Sequence, residues 1–345
     1  MNARPVRIGI TASGGDMVPS AILALRKNEQ LAFYIHAFNL GFHPVSAYLA
    51  DKFDILPSGA SPNFVPQVIE HVKQNNIEVF LPWSDEEALA LAAFRDDLSN
   101  IGCTVLASPI DVMRTITDKA KTYEILKKAG LTVPEYTVVS SAEDISHAVK
   151  AYGYPKRTVV VKPTTGRGGR GVKIFLGDDN PAEWLGCGRR EKRLSPLDVT
   201  DFDFQNGEPH LVMPCLHAPV YDVDVFRFEN TPFKCFVRER LNPTGIPFNG
   251  NILRKNTEIE EYAKNIATVM NLQSLHDIDM MTDPKMGPVL LEINPRPSGS
   301  LAGLSSAGHV LLDYALASAA GIHIDIKPVE RDVEILTYTE SVALS

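Results

Sequence analysis

Apolar residues in the first third of the chain follow two alternating patterns, short β-branched runs and stripes at helical spacing. A run at residues 6–10 precedes a glycine-containing turn and a helical pattern at residues 20–27. Residues 65–72 place apolar side chains at the i, i+3, i+4 and i+7 positions of one helix face. Further strand runs occur at residues 31–38, 78–81 and 104–107. This alternation predicts an α/β architecture, with a doubly wound parallel-sheet domain over residues 1–115.

The rest of the chain is rich in predicted strands. Apolar runs at residues 158–162 and 172–176 flank a glycine-rich loop, and the polar, aperiodic residues 177–209 predict a mobile insertion or lid. Strand patterns and one amphipathic helix follow, at residues 210–213, 220–228, 233–240 and 259–270. Two apolar runs within residues 276–294 flank an Asp-Pro-Lys-Met-Gly turn, which predicts a β-hairpin. The C-terminal part is therefore predicted to be α+β.

Oxygen-bearing side chains cluster on this hairpin. Because side chains alternate along a strand, Glu292 and Asn294 project from one face of it. Asp277 and Asp279 share a face on the preceding strand in the same way. Three oxygen-bearing side chains on adjacent strands predict a site for a hard cation, Mg²⁺ with Mn²⁺ as the alternative ion, because such ions prefer oxygen ligands and leave positions for phosphate and water. A solvated hairpin with an ordinary polar face is the competing interpretation.

The glycine-rich loop at residues 164–171 is a second candidate site. Its glycines leave the backbone free to bring N–H groups onto a polyphosphate. Lys162 ends the preceding buried strand, and Arg167 and Arg170 add charge within the loop. Lys119 stands in the first turn of an earlier helix, where the helix dipole disfavours a cation, which indicates another use. The candidate phosphate contacts in the loop are Thr165, Gly166, Gly168, Gly169 and Gly171. The alternatives are a flexible hairpin tip and a solvated lysine.

A short apolar connector that contains Met213 and Leu216 has the character of an adenine slot, in which backbone groups read the base edge. Asp222 and Asp224 share a face of the next predicted strand, and one of them is a candidate for ribose hydroxyls. Short apolar runs are also common in protein cores, so the connector alone leaves both interpretations open.

Two features of the N-terminal region are also open. The Gly14-Gly15 turn either cradles a dinucleotide phosphate, as in a dehydrogenase, or lets the first helix pack closely on the sheet; it lacks the G-x-G-x-x-G spacing. Residues 84–87 follow a strand, so they either contact a substrate or cap the next helix.

Composition narrows the class of partner. The formal net charge of −8 disfavours non-specific attraction to nucleic acid or anionic membranes. The sequence has no signal-peptide core and no apolar run of about 18 residues. The four cysteines lie far apart, without metal or redox spacing. We therefore expect a cytoplasmic protein without nucleic-acid or membrane partners.

The ordered set of motifs resembles the ATP-grasp superfamily, and in particular its carbamoyl-phosphate-synthase-like members. The motifs are Asp118-Lys119, the Val-Val-Val-Lys162-Pro strand, the glycine flap, Asp279 and the string Leu-Leu-Glu292-Ile-Asn294-Pro-Arg296. The resemblance implies an ATP-grasp fold with these parts: a pre-ATP-grasp domain at residues 1–115, a small subdomain with the flap at 116–209, a C-terminal subdomain with the metal site at 210–325, and a tail at 326–345.

The resemblance also implies roles for the candidate residues. Lys119 and Lys162 would contact ATP phosphates beneath the closing flap. Asp279, Glu292 and Asn294 would hold Mg²⁺. Arg296 would stabilise the transferring phosphoryl group, and Asp222 or Asp224 would take the ribose. Met213 stands where the family usually has a glutamate before the adenine connector, so adenine recognition would rest on backbone groups.

The sequence thus predicts an ATP-dependent ligase that joins a small carboxylic acid to an amine through an acyl phosphate. Arg238 and Arg254 are candidates to hold the acceptor carboxylate, a bidentate task that suits guanidinium; ordinary surface arginines are the equal alternative. The rival functions are a carbamoyl-phosphate-synthase-like phosphotransferase on carbamate or bicarbonate, and a non-catalytic ATP-binding subunit. The expected partners are small-molecule carboxylates and amines, with a homodimer as a further prediction.

Overall fold

Three β-sheets form the framework of the protein. The computed structural model describes residues 4–16, 18–41, 44–166, 168–179, 192–194, 208–228, 231–242 and 250–338. Arg167 and most of the predicted insertion at residues 177–209 lie outside this part of the chain. No helix among the described residues is both long and apolar enough to cross a bilayer.

The first sheet confirms the predicted doubly wound unit. Its strands are β1 (Val6–Ile10), β2 (Phe33–Asn39), β3 (Lys52–Ile55), β4 (Val79–Leu81) and β5 (Thr104–Val105). They are parallel and lie in the order β3-β2-β1-β4-β5. The accompanying helices are α1 (Val18–Arg26), α2 (Ser46–Leu49), α3 (Phe64–Asn75), α4 (Asp85–Ala92), α5 (Arg95–Asn100) and α6 (Ile110–Ile116). Sequence reasoning missed β3, a short edge strand whose charged residues give little strand signal.

The turn after β1 is closed by contacts within the protein. The Gly14 N–H donates to Asn39 Oδ1 at 3.2 Å, and the Gly15 N–H donates to the carbonyl of Ala12 at 2.9 Å. A Cβ at Gly14 would lie 2.7 Å from the Asn39 side chain, so the glycine permits close approach of β2. These contacts favour the packing interpretation of the Gly14-Gly15 turn over a dinucleotide site.

The second sheet carries the glycine loop. Its elements are α7 (Lys119–Lys128), β6 (Thr137–Val139), α8 (Ala142–Ala151), β7 (Val159–Pro163), β8 (Lys173–Phe175), β9 (Lys192–Leu194) and β10 (His210–Pro214). The strand order is β6-β10-β7-β8-β9. Because β7 and β8 are antiparallel neighbours, residues 164–171 cross from one strand to the next at the end of the sheet, as predicted.

The third sheet carries the predicted hairpin. Its elements are β11 (His217–Arg227), β12 (Lys234–Arg240), β13 (Asn251–Arg254), α9 (Thr257–Val269), β14 (Ser274–Asp283), β15 (Gly287–Asn294), α10 (Gly303–Ser306), α11 (Leu311–Ala319) and β16 (Val333–Ile335). The order is β15-β14-β11-β12-β13-β16, antiparallel throughout. Helix α9 packs on one face against Val223, Val237 and Ile278. The segment called a tail supplies β16, so its first part belongs to this sheet.

One buried acid in α11 makes a prediction about stability. Asp313 is fully buried; its Oδ1 accepts a hydrogen bond from Asn28 Nδ2 at 2.5 Å, and its Oδ2 has no partner among the described residues. Burial raises the pKa of Asp313 to about 6. The fold therefore favours the protonated acid, and this contribution to stability is lost as pH rises from the unfolded-state pKa of about 4 through 6.

Replacing Asp313 with asparagine is expected to raise the free energy of unfolding by about 1–3 kcal/mol at pH 8, because the amide carries no charge to bury. At pH 4.5 the gain should be much smaller, since the acid is then largely protonated in the fold. Urea unfolding of both proteins at the two pH values measures the difference. An equal gain at both would show that Asp313 does not titrate as described.

Candidate active site

Carboxylate and amide side chains gather on the face of the third sheet opposite α9. Strand pairing aligns them in two rows, Asp222 with Asp279 and Glu292, and Asp224 with Asp277 and Asn294. This arrangement arises because antiparallel partners directly opposite each other project to the same face. The hairpin contributes four members of the set, as the alternation of its sequence predicted, and β11 contributes the other two.

Three of these carboxylates are close enough to share a cation. One oxygen each from Asp222, Asp277 and Asp279 lies within 4.8 Å of the others. Asn294 Nδ2 donates to Asp277 Oδ2 at 3.1 Å. Asp222 Oδ2 and Asp277 Oδ1 are buried without a hydrogen-bond partner among the described residues. Unpaired buried carboxylate oxygens are costly, and an oxygen-preferring divalent ion is the group that would satisfy them. The residues present therefore fit Mg²⁺.

The pKa values of the clustered aspartates also indicate a site for a positively charged ion. Burial raises the pKa of Asp279 to about 8 against the opposing effect of Arg240, and Asp222 raises it further. The pKa of Asp277 is raised well above its ordinary value by burial and by the neighbouring Asp279. Asp277 and Asp279 therefore bind protons readily, because the nearby arginines do not neutralise all of the negative charge of the cluster. Asp277, which sequence reasoning placed on this face without assigning it to the metal, belongs to the cluster.

The two predicted phosphate lysines lie beside Glu292. Lys119 Nζ is 3.2 Å from Glu292 Oε2 and donates to the Gly166 carbonyl at 2.8 Å. Lys162 Nζ donates to the Leu291 carbonyl at 3.2 Å, and burial together with Lys119 lowers its pKa to about 7. Burial acts to raise the pKa of Glu292, but the two lysines outweigh it and hold that pKa below its ordinary value. The lysines, metal face and glycine loop therefore meet at one place.

The glycine loop adopts a backbone that only glycine accepts easily. Gly166, Gly168, Gly169 and Gly171 have φ values of 98°, 56°, 73° and 74°. Side-chain-bearing residues rarely adopt these angles, so the four glycines are required by the loop's path. Thr165 contacts Glu208 through its hydroxyl. The loop lies beside Lys119, whose Nζ donates to the Gly166 carbonyl at 2.8 Å.

An apolar cluster contains the predicted adenine connector. Met213, Leu216 and Val289 are buried together, with four partly buried neighbours: Tyr136, Val160, Met281 and Leu291. These residues come from both the second and the third sheet. The cluster lies beside Lys162, whose Nζ donates to the carbonyl of Leu291 at 3.2 Å, so the connector is near one of the two predicted phosphate lysines.

Arg296 joins the metal face to the N-terminal domain. Its Nε donates to Asp85 Oδ1 at 3.1 Å, its Nη2 to Asn294 Oδ1 at 3.4 Å, and its Nη1 lies 3.7 Å from Asp277 Oδ2. Ser84 meanwhile caps α4 by accepting from the Glu87 N–H. Residues 84–87 therefore cap α4, and Asp85 contacts the site arginine; contact of this segment with a substrate stays a prediction.

Two predicted binding roles are corrected by burial. Asp222 and Asp224 are fully buried and pair with arginines, so neither is available to ribose hydroxyls. Asp222 Oδ1 accepts from Arg240 Nε at 2.9 Å, and Asp224 Oδ2 accepts from Arg238 Nε at 2.7 Å. Both aspartates instead support the metal face, with Asp222 reaching the cation cluster itself.

Arg238 also differs from its prediction. It is almost fully buried; besides the contact with Asp224, its Nη1 donates to Asn251 Oδ1 at 2.9 Å and to Ser300 Oγ. Only Nη2 has no hydrogen-bond partner among the described residues. A bidentate clamp on an acceptor carboxylate needs two such donors. Arg238 is therefore a support of the site floor, and no clamp role is retained.

Arg254 lies on the wrong face of the sheet for the role predicted from the sequence. It pairs with Glu239 Oε2 at 2.8 Å and with Asp332 Oδ2 at 2.7 Å. Arg238 and Leu253 are paired neighbours, so Arg254 points to the side opposite Arg238. The surface-arginine interpretation describes Arg254, and we leave it out of the site.

Comparison with known proteins identifies the superfamily. Residues 206–341 match the family described as "ATP-grasp in the biosynthetic pathway with Ter operon", and residues 106–192 match "Sugar-transfer associated ATP-grasp". The chain belongs to the ATP-grasp superfamily. The resemblance stated from the motifs is thereby confirmed.

Curated relatives of this ATP-grasp chain include carbamoyl phosphate synthases. The chain is 26% identical over 324 residues to the carbamoyl phosphate synthase large chain of Hyperthermus butylicus, covering 88% of this chain and 28% of that one. It is 30% identical over 328 residues to the multifunctional protein pyr-3 of Neurospora crassa, covering 92% and 17%. The ATP-grasp chain thus spans about a quarter of the length of the first such relatives.

Solved structures share the ATP-grasp fold with this chain. An ADP complex of purK, N5-carboxyaminoimidazole ribonucleotide synthetase, superposes with a TM-score of 0.70 at 17% identity, covering 97% of this chain and 83% of that one. L-amino acid ligase from Bacillus licheniformis superposes with a TM-score of 0.62 at 13% identity, covering 91% and 75%. The predicted ATP-grasp fold with its preceding parallel-sheet domain is confirmed by these likenesses.

Proposed function

We propose that this ATP-grasp protein is an ATP-dependent, ADP-forming ligase that joins the carboxylate of a small molecule to an amine. The observation that carries the proposal is the meeting of Lys119, Lys162, Glu292 and Arg296 on one carboxylate-lined face beside a glycine loop. A non-catalytic nucleotide-binding subunit would need the two lysines and the adenine connector to bind ATP. It would not need Arg296 beside the metal face. The purK and L-amino acid ligase likenesses and the carbamoyl phosphate synthase relatives support an ADP-forming C–N ligase.

Different groups of residues would bind the different parts of ATP. Met213 and Leu216 of the apolar cluster would contact the adenine ring, and the two lysines would contact the phosphates. The N–H groups of the glycine loop would cover the phosphates from the other side. Asp279, Glu292 and Asn294 are retained as the predicted Mg²⁺ ligands, and Asp222 and Asp277, which have unpaired oxygens beside Asp279, are added as further ligands. Mg²⁺ supplies neutralisation of the charge that develops on the phosphate oxygens.

The first step forms an acyl phosphate. A carboxylate oxygen of the substrate attacks the γ-phosphorus, the bond from that phosphorus to the bridging oxygen breaks, and ADP leaves. This reaction needs in-line positioning and charge stabilisation more than covalent help from the protein. Arg296 supplies a fixed positive charge beside the metal face, and Lys162 in its protonated form adds a second charge near Glu292. Closure of the glycine loop would keep water from the acyl phosphate.

The second step consumes the acyl phosphate. An amine attacks its carbonyl carbon, the bond to the phosphate oxygen breaks, and an amide, inorganic phosphate and one proton are released. Small-molecule carboxylates and amines are therefore the proposed partners. A cytoplasmic location and a homodimer are retained as predictions.

A substrate panel tests the proposal. The protein is incubated with ATP, Mg²⁺ and individual amino acids or other small carboxylates, with and without amines, and ADP and product masses are measured. Hydroxylamine serves as a general amine that converts an acyl phosphate into a hydroxamate. We expect ADP release that depends on a carboxylate, and a hydroxamate of that carboxylate.

Two other outcomes would replace the proposal. ADP and carbamoyl phosphate formed from carbamate, or from bicarbonate together with ammonia, with no other carboxylate present, would support the phosphotransferase, the function that the carbamoyl phosphate synthase relatives favour. ATP binding without ADP release under any condition would support the non-catalytic subunit.

A further inference from the structure

A second group of metal-binding side chains lies in the N-terminal sheet, separate from the ATP-grasp site. His36 on β2, Asp54 on β3 and His71 on α3 each bring one ligand atom within 4.8 Å of the others. His36 Nε2 is 2.8 Å from Asp54 Oδ2, and His71 Nδ1 is 3.6 Å from the same oxygen. Strand pairing sets Asp54 beside Phe38, two residues from His36, and α3 covers that face. Three elements distant in sequence thus converge on one point.

The spacing fits a tetrahedral transition-metal ion. Zinc bonds to imidazole nitrogen and carboxylate oxygen are about 2.0–2.2 Å, so tetrahedral ligands lie roughly 3.4 Å apart. The separations of 2.8 and 3.6 Å bracket this value. Two imidazoles with one carboxylate are a donor set that suits zinc and disfavours Mg²⁺. Rotation of the partly exposed Asp54 and His71 side chains supplies the remaining adjustment.

Part of the hydrogen-bonding capacity of the cluster is unused, although His36 Nε2 is hydrogen-bonded to Asp54 Oδ2 at 2.8 Å. The Nδ1 atoms of His36 and His71 are buried and have no hydrogen-bond partner among the described residues. Burial lowers the pKa of both imidazoles, that of His36 to about 4, so both are neutral at pH 7. His71 Nδ1 lies 3.6 Å from a carboxylate oxygen of Asp54 without a hydrogen bond to it, and a cation between the two atoms would bind both.

A lysine holds the place of the cation. Lys52 Nζ is 3.2 Å from Asp54 Oδ2 and donates to Asn75 Oδ1 at 2.8 Å. Its side chain is 38% exposed, and those of Asp54 and His71 are 34% and 19% exposed. Lys52 can therefore swing into solvent and an ion can enter from the sheet edge.

We propose that His36 Nε2, the Asp54 carboxylate and His71 Nδ1 form a binding site for a zinc-class divalent ion. The fourth position is open to water. The ion joins the edge strand β3 to β2 and α3, and it stabilises the N-terminal domain. This site is independent of the proposed ligase activity, since none of its residues lies on the carboxylate-lined face.

Metal titration of the full chain tests the site. Zinc binding is followed by calorimetry and Co²⁺ binding by visible absorption, with excess Mg²⁺ present to occupy the carboxylate-lined face. Tetrahedral Co²⁺ with nitrogen ligands absorbs far more strongly than octahedral Co²⁺ among oxygens, so the two sites are distinguished. In the wild-type protein we expect one molar equivalent of Co²⁺ to bind with strong visible absorption. We also expect zinc to raise the Tm, because binding to the folded state stabilises it.

Three variants decide the ligands. His71→Phe keeps the ring's volume and should weaken zinc binding by more than about 100-fold, since even outer-shell changes cost about 10–100-fold. Asp54→Asn is a second ligand variant should the first fold poorly. Lys52→Met removes the competing cation and should tighten binding. The control His147→Ala changes an exposed histidine on α8 and should leave binding unchanged.

The proposal is overturned by either of two results. One is that the strong Co²⁺ absorption and the rise of Tm with zinc both persist in His71→Phe and in Asp54→Asn. The other is the absence of such absorption in both the wild-type protein and Lys52→Met.

Discussion

Replacing Glu292 with glutamine is expected to lower carboxylate-dependent ADP formation by about 10²–10³-fold, the loss typical of one electrostatic stabiliser. The amide keeps the volume of the side chain but removes the charge that pairs with Lys119 at 3.2 Å and faces Asp279 across the strand pair. Steady-state assays with coupled ADP detection measure the loss. Calorimetric titration with ATP should still detect nucleotide binding, at lower affinity, because the predicted adenine connector with Met213 and Leu216 is unchanged.

Glu239→Gln is the matched control for this change. Glu239 is an ion-paired glutamate of the same sheet, bound to Arg254 on the face opposite the metal cluster. Exposed ion pairs contribute about 0–1 kcal/mol to stability, so the variant should fold and retain activity within about twofold. Full turnover by Glu292→Gln would contradict the metal assignment. Equal losses in both variants would show that the sheet, and not the site, is damaged.

Replacing Arg296 with lysine is expected to lower kcat by about 10²–10³-fold with a small effect on the affinity for ATP. Lysine keeps the charge but cannot reproduce the fork that reaches Asp85 and Asn294 together. A loss in kcat at nearly unchanged nucleotide affinity is the signature of a group that acts mainly in the transition state. Assays at saturating ATP, with the carboxylate varied, separate the two quantities.

Arg254→Ala should behave differently, because its partners Glu239 and Asp332 lie on the other face of the sheet. We expect its kcat to stay within about twofold of the wild-type value, as for surface ion pairs. If Arg254→Ala abolished turnover while Arg296→Lys did not, the assignment of the active face would be reversed.

The contact between Asp85 and Arg296 gives the parallel-sheet domain a direct part in the site. Helix α4 begins after its cap residue Ser84, so the first helical residue, Asp85, is held at a fixed position. From there it fixes one side of the guanidinium that borders the metal face. The N-terminal domain is therefore coupled to the ATP-grasp domain through a charged pair, and its alignment affects where Arg296 points.

The buried arginines explain how so many carboxylates coexist. Asp222 and Asp224 are paired with Arg240 and Arg238, at hydrogen-bond distances of 2.9 and 2.7 Å. This pairing holds the pKa of Asp222 below its ordinary value, whereas burial raises the pKa values of Asp224, Asp277 and Asp279. Removing one member of such a buried pair leaves an uncompensated charge and is strongly destabilising. The ion pairs therefore concentrate the remaining negative charge where a metal ion would bind.

Local chemistry made several parts of this protein readable from the sequence. Alternation along a strand placed Asp277, Asp279, Glu292 and Asn294 on matching faces, because the side-chain period of a strand is fixed. The glycines at 166–171 predicted a backbone free of side-chain constraints, and in the structure all four have positive φ, which few other residues tolerate. These features depend on neighbours within a few residues.

Strand order and register decided the rest. The sequence shows Arg238, Arg254, Asp222 and Asp224 as charged residues on strands or in a loop, but not which strands are neighbours. Pairing of β12 with β11 turned Asp224 into a partner of Arg238, and pairing of β13 with β12 turned Arg254 away from the site. A shift of one residue would have exchanged the two faces. Sequence alone determined which residues have the chemistry for a metal and a triphosphate; tertiary pairing decided which of them reach it, because long-range register is set by the packing of the whole sheet.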